Sequence, residues 1–307
     1  MAVKLADHCG RILAEHGDAE PRLYVLDGDL ADSDGAIHFA HRHPTRFLMA
    51  GIAEQNMVSV AAGMAEAGQR PWVFSFAAFL CYRAYDQVRM GLSQARQAVT
   101  LVGSHAGGLS GRNGKSHAAP NDLALMLSLP HVSVWSPGDL GDVELAVRTL
   151  VAQPAPSYLR CPRTPIDEQR GLPGAPAALR WLSPRRPVAL VSTGIASHWA
   201  LAAAARLADA GIDVGVLHCL RLRPTGALAA ELHGVSRIFV VEDHATFGGL
   251  ASLIHQLGLP AAVTALGWPD EFSGQSGKDE QLLAAHGLSA EQLAHTITTA
   301  LASCRKG

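Results

Sequence analysis

The run Gly51-Ile52-Ala53-Glu54-Gln55-Asn56-Met57 sets a carboxylate where a short apolar stretch ends and an alanine-rich one begins. Phe47 to Met49 before it reads as a buried strand, and the spacing after it predicts a helix from Glu54 to about Ala67. The same alternation extends outward in both directions. Leu23 to Leu26, Pro71 to Phe76, Ala98 to Gly103 and Val132 to Trp135 read as further strands, with helices at about Ala78 to Ser93 and Asp139 to Val151. Buried strands alternating with helices predict a parallel α/β sheet. By position alone Glu54 has two readings. It is a first-turn acid that favours the helix macrodipole, or a functional carboxylate at the carboxyl edge of the sheet, where such folds bind ligands.

From Cys161 to Pro187 the periodicity gives way to a run rich in Pro, Arg and Gly. We therefore expect a first domain over 1–165, a linker over 166–187 and a smaller α/β domain over 188–307. Its predicted strands are Val188 to Ser192, Asp213 to His218, Arg237 to Val241 and Ala261 to Leu266. Its helices are expected at about Ser197 to Ala210, Gly248 to Leu257 and Ala290 to Leu301. A length of 307 residues accommodates two domains.

Hydrophobic residues at 48% and charged ones at 17% describe a folded globular chain. A net charge of -2 gives no electrostatic reason to expect a nucleic acid or an anionic membrane as partner. Five scattered cysteines without a C-x-x-C pair fit free thiols in a reducing cytoplasm. Met1 to Gly17 reads as an amphipathic helix rather than a signal peptide. No run approaches the roughly 18 to 20 apolar residues of a membrane span. His38, His41 and His43 lack a distant partner motif and read as a connector rather than a metal site. Glu242-Asp243-His244 reads as a strand end with a structural or subunit-contact role.

Phe76, Phe79 and Tyr82 recur at three-residue spacing. Such stripes are usually core, but beside a sheet-edge carboxylate they also form the wall that a flat heterocycle needs. The glycine-rich run Ser104 to His117 is expected to lie open to ligand.

Taken together, Asp27-Gly28-Asp29-Leu30, GIAEQNMVSVAAGMA (51–65), FSFAAFLCYRAYDQVR (74–89), the His105 to His117 run, Val188 to Ser192 and VVEDHATFGGL (240–250) resemble transketolases. The similarity is greatest to the carboxyl-terminal chain of split transketolases. It implies a pyrimidine-binding α/β domain followed by a transketolase carboxyl-terminal-like domain, with thiamine diphosphate as cofactor. Glu54 would hydrogen-bond the pyrimidine nitrogen N1′ and favour the imino tautomer that activates the thiazolium. Phe79 would stack on the pyrimidine, Phe76 and Tyr82 would complete its pocket, and Asp29 would lie near the cofactor. His117 would bind the ketose. Ser33, His105 and Arg163 would hold a substrate phosphate, with Arg160 as a neighbour.

Three positions depart from the family pattern. Asn113 stands where an aspartate usually reads a sugar hydroxyl, Lys115 adds a cation nearby, and Ala6 falls where a phosphate-binding arginine is expected. These departures leave the donor and acceptor sugars open and admit a specialised pathway. The Gly-Asp-Gly sequence that carries the diphosphate through Mg2+ or Ca2+ in the family is missing from this chain. A separate amino-terminal subunit is therefore implied, in an α2β2 heterotetramer. Two alternatives stand beside this one: half of a 1-deoxyxylulose-phosphate-synthase-like or 2-oxoacid-dehydrogenase-like enzyme, and a non-catalytic regulatory partner.

Overall fold

A computed structural model of the chain describes residues 2–109, 113–169, 171–271 and 276–304. In chain order the strands begin β1 (Ala2–Val3), β2 (Leu23–Asp27), β3 (Phe47–Met49), β4 (Arg70–Phe76), β5 (Thr100–Ala106), β6 (Ser133–Trp135) and β7 (Ser157–Pro162). They continue with β8 (Ile166–Asp167), β9 (Leu179–Trp181), β10 (Val188–Ser192), β11 (Gly215–Cys219), β12 (Arg221–Arg223), β13 (Arg237–Ala245) and β14 (Ala262–Trp268).

The first sheet has the order β12-β6-β7-β5-β4-β2-β3. Every neighbouring pair in it is parallel except β12 on β6. The sequence dictates this burial. From Pro71 to Phe76 every residue of β4 is buried, as a strand covered on both faces requires. One face packs against the helices Leu5–Ala19 and Leu140–Ala152 through Leu5, Leu13, Val143 and Val147. The other is covered by Met57, Val58 and Ala61 of the helix Glu54–Glu66 and by Leu123 and Met126 of the helix Asp122–Ser128.

The second sheet has the order β14-β13-β10-β11-β9, with only β9 antiparallel to its neighbour. The 166–187 stretch, expected to lack strands, supplies β8, which pairs with β1, and β9. The second layer is not independent of the first. Its β12 closes the edge of the first sheet against β6, and Val191, Leu217, Ile238 and Val240 share one apolar cluster with Leu26, Met57 and Leu101. A sheet face that would otherwise stay wet is buried this way.

The helix expected from Ala78 to Ser93 is instead two π-helical turns, Phe79–Arg83 and Val88–Gln94, around the short helix Tyr85–Gln87. Such bulges re-aim side chains and frequently accompany functional sites. Cys9, Cys81, Cys161 and Cys219 are free and buried. Among the described residues no helix is long and apolar enough to cross a membrane.

Candidate functional site

The carboxyl ends of β2, β4, β5 and β7 open on one edge of the first sheet, and the helix Glu54–Glu66 starts beside them. Glu54 is 1% exposed. Its Oε2 accepts a 2.7 Å hydrogen bond from Arg83 Nη1, while its buried Oε1 has no partner. A buried carboxylate oxygen left unpaired is costly, roughly 1–3 kcal/mol or more, and a ligand donor is the simplest group to satisfy it.

Beside it four rings converge. Phe76 and Phe79 stack with centroids 5.7 Å apart and planes inclined by 21°. The His105 ring lies 4.0 Å from that of Phe76. His117 meets Phe76 and Phe79 edge-on at 5.8 and 5.4 Å. Arg83 joins the carboxylate to this cluster, its guanidinium 4.4 Å from the Phe79 centroid. An acid with one free oxygen next to an aromatic platform suits a flat heterocycle that offers a ring nitrogen.

His105, the last residue but one of β5, has a φ of 54°, and Asp29, just after β2, a φ of 68°. Left-handed backbone at residues other than glycine is strained, and such strain clusters at functional sites. Burial pushes the His105 imidazole down to about 4, helped by the charges of Lys4, Arg163 and His117. At neutral pH it is therefore an uncharged donor and acceptor. His117 is half-buried, its Nδ1 2.9 Å from Ser116 Oγ.

The remaining expected residues are spread around this centre. Ser33 is half-buried in the short helix Ala31–Asp34, and Asp29 and Asn113 are exposed. Arg163 lines a cleft of about 970 Å³ with Thr164, Trp199 and Lys278. Tyr82 lies apart from the four rings. It is 47% exposed and lines a cavity of about 320 Å³ with Lys115, Trp268 and His286. Arg160, expected as a substrate neighbour, is buried instead. Its Nε donates to Asp122 Oδ2 at 2.7 Å and its Nη2 to the Asp243 carbonyl oxygen. A guanidinium already bonded on two sides inside the protein has no reach to a substrate.

Ala6, which stands where the family pattern has a phosphate-binding arginine, does not open on the site. It is 2% exposed and packed in the core beside Leu5 and Cys9. The cation at this end is Lys4, which stands just before the helix Leu5–Ala19 and whose charge lowers the His105 imidazole. Pairing of Val3 with Ile166 brings it beside the segment that follows β7 and carries Arg163. Lys4, two residues before Ala6, is not among the residues singled out from the sequence. The signal was available: Lys4 is the basic residue immediately before the first helix.

Gly107 and Gly108 serve packing more than openness. A Cβ on Gly107, whose φ is +83°, would lie 2.0 Å from the Asp243 carboxylate, and one on Gly108 would lie 2.2 Å from the Trp268 ring. The second domain presses directly onto this loop. Ser110-Gly111-Arg112 lies outside the described residues. His38 Nε2 is 2.9 Å from Asp7 Oδ1 and His43 Nε2 is 2.8 Å from the Ala14 carbonyl oxygen, contacts that tie a connector to the first helix. Glu242 accepts from the Leu250 and Ala251 amides and anchors the helix Leu250–Gln256. Among the described residues no group of three or more His, Cys, Asp or Glu side chains could hold a metal ion.

Residues 1–167 match the family model of the transketolase pyrimidine binding domain, and residues 178–293 that of the transketolase C-terminal domain. A Methanocaldococcus jannaschii chain that bears the name of a transketolase C-terminal section is 32% identical, over 94% of this chain and 93% of that one. The 6-deoxy-6-sulfo-D-fructose transketolase subunit SqwH of a Clostridium species is 31% identical, over 96% of this chain and 96% of that subunit. A solved structure described as a split gene transketolase, inactive beta4 tetramer, superposes with a TM-score of 0.85 at 30% identity, over 98% of this chain and 99% of that one. The chain spans about half the length of other relatives, such as 47% of human transketolase.

Proposed function

Because the chain belongs to the transketolase family, we propose that it is the carboxyl-terminal subunit of a two-component transketolase. In this reading it transfers a two-carbon ketol unit from a ketose to an aldose-type acceptor with thiamine diphosphate. One observation carries the reading: the buried, unpartnered Oε1 of Glu54 beside the Phe76, Phe79, His105 and His117 rings.

When bound, thiamine diphosphate supplies the carbon nucleophile and the electron sink. The chain's own residues do the rest. Glu54 Oε1 would hydrogen-bond the pyrimidine nitrogen, and Phe79 with Phe76 would wall the ring and exclude water from it. His117 would hydrogen-bond the ketose hydroxyls, and the uncharged His105 beside it would donate to the substrate's anionic tail. Lys4 and Arg163 attract the anionic tail of the substrate, with Ser33, Asp29 and Asn113 at the rim. The SqwH relative is named for a sulfonated sugar, and a phosphate or sulfonate tail suits the same pair of cations. The diphosphate and its Mg2+ or Ca2+ fall to the amino-terminal partner of an α2β2 assembly. That chain supplies what this sequence lacks, a Gly-Asp-Gly metal-binding segment.

The test is to co-express the chain with its genomic neighbour and assay ketol transfer over phosphorylated, sulfonated and neutral ketoses. Product formation is expected to require both chains, the metal and thiamine diphosphate, and to vanish in Glu54→Ala. Activity that survives that substitution unchanged refutes the mechanism. Product with pyruvate as donor would favour the 1-deoxyxylulose-phosphate-synthase-like or 2-oxoacid-dehydrogenase-like alternative. A partner that turns over alone and is merely stimulated would favour the regulatory one.

A further inference from the structure

Arg83 has no role in the account above. It ends the π-helical turn Phe79–Arg83, in which the Ala84 amide donates to the Phe79 carbonyl oxygen five residues back. That widened turn carries the Arg83 side chain over the Phe79 ring, 4.4 Å from its centroid, and delivers Nη1 to Glu54 Oε2 at 2.7 Å. The partners differ in exposure: the Glu54 side chain is 1% accessible and that of Arg83 is 42%. A pair so open on one side adds little stability. Its geometry matters more.

The terminal torsion of a glutamate is broad and two-fold, so an isolated carboxyl group rocks about its last bond. A donor on one oxygen removes that freedom for both. With Oε2 tied to Arg83, the direction of Oε1 is set, and Oε1 is the oxygen left buried without a partner. Arginine suits the task because its rigid planar fork can lie on an aromatic face and donate in its own plane at once, which a lysine cannot do. Phe79 thus holds Arg83, and Arg83 holds Glu54.

We propose that Arg83 is the positioning residue of this site. It fixes the plane of the Glu54 carboxyl group through Oε2 and presents Oε1 to the heterocycle, and it keeps that place when the heterocycle binds. The inference rests on the thiamine reading of the site.

The experiment uses the two-subunit complex with saturating Mg2+ and compares wild type, Glu54→Ala, Arg83→Met and Arg83→Lys. Two quantities are read without turnover: the Kd of thiamine diphosphate, by calorimetry, and the rate at which the C2 proton of the bound cofactor exchanges with deuterium, by quenched NMR. Positioned proton transfer is commonly worth about 10²–10⁴-fold, so Arg83→Met is expected to slow exchange about ten- to a hundredfold, with Kd changed about threefold or less. Arg83→Lys is expected to recover part of the exchange rate, which a merely structural role would not predict. Exchange at the wild-type rate in Arg83→Met overturns the proposal. So does tighter cofactor binding in that variant, which would mean that Arg83 occupies the pyrimidine position and must leave it. If the wild-type complex binds no thiamine diphosphate, the cofactor reading fails and takes the proposal with it. If wild type exchanges and Glu54→Ala does not, while Arg83→Met is unaffected, only the role of Arg83 fails.

Discussion

Replacing Arg160 by methionine tests whether the two domains are held together by one buried charge. Methionine fills most of the same length but leaves Asp122 and Asp243 without their cation. Arg160 is 1% exposed and both aspartates are 0% exposed, so water cannot substitute. Breaking such a pair from one side typically destabilises by roughly 3–5 kcal/mol. At about 2–4 °C per kcal/mol for chains of this class, the melting temperature is expected to fall on the order of 10 °C. The loss carries a pH signature. Burial already pushes the Asp243 carboxyl up to about 6 with Arg160 beside it, and removing the guanidinium raises it further. A carboxyl group whose folded value is raised keeps its contribution at low pH and loses it as pH rises through the folded value. The deficit of Arg160→Met is therefore expected to be largest near pH 8 and to narrow toward pH 5. Urea unfolding followed by circular dichroism at both pH values measures it. A deficit below about 1 kcal/mol, or one independent of pH, would refute the buried-charge argument.

Other consequences are open to measurement. Lys4→Ala is expected to raise KM for an anionic ketose about tenfold with kcat nearly unchanged and to leave a neutral ketose unaffected, as for a residue that binds ground and transition states alike. Ala6→Arg is expected to destabilise the fold by a few kcal/mol, on the order of 3 or more, rather than build a phosphate site, because it drives a charge into the core; thermal melts decide. His105 and His244 are both pushed down to about 4 by burial. Each contributes stability that is present above the unfolded value near 6.5 and is lost as pH falls toward 4, roughly 3 kcal/mol per group. Glu242, raised to about 7, works in the opposite sense between its unfolded value and 7. Urea midpoints of His105→Asn are expected to flatten the acid limb. Gly108→Ala is expected to lose about 1–3 kcal/mol by overpacking against Trp268.

The fold was legible wherever burial and periodicity agree. Val188 to Ser192 was bounded to the residue, because an apolar run flanked by turn residues leaves little choice; Phe47 to Met49 was bounded as well, but it is the edge strand of its sheet, with Leu48 and Met49 exposed rather than buried. The interior strand β7 was missed. It is six residues long, ends in proline and carries Arg160 at its middle, and a charged residue does not read as the interior of a parallel sheet. Only the three-dimensional partners Asp122 and Asp243 make that arginine a core residue. The helix across Phe79 was drawn as regular because a π-helical turn leaves no mark on hydrophobic spacing. The site divides in the same way. Glu54, Phe76, Phe79, His105 and His117 were named from the sequence and lie together in space. Tyr82 follows the same spacing as the two phenylalanines yet faces a different cavity, since the widened turn rotates it away. Lys4 and Arg83 went unremarked because each gains meaning only from a neighbour distant in sequence.

The edge strand β12 sets a rule for where this polypeptide can be cut. Its three residues come from beyond Pro187, yet they hydrogen-bond β6 and so finish the first sheet. A fragment ending at Pro187 would expose the backbone of β6 as an open ladder and uncover the apolar face that Ile238 and Val240 conceal. Open ladders recruit strands from other molecules, so such a fragment is expected to aggregate rather than stay soluble. The two lobes are therefore one folding unit: a break between them would divide a single folding event.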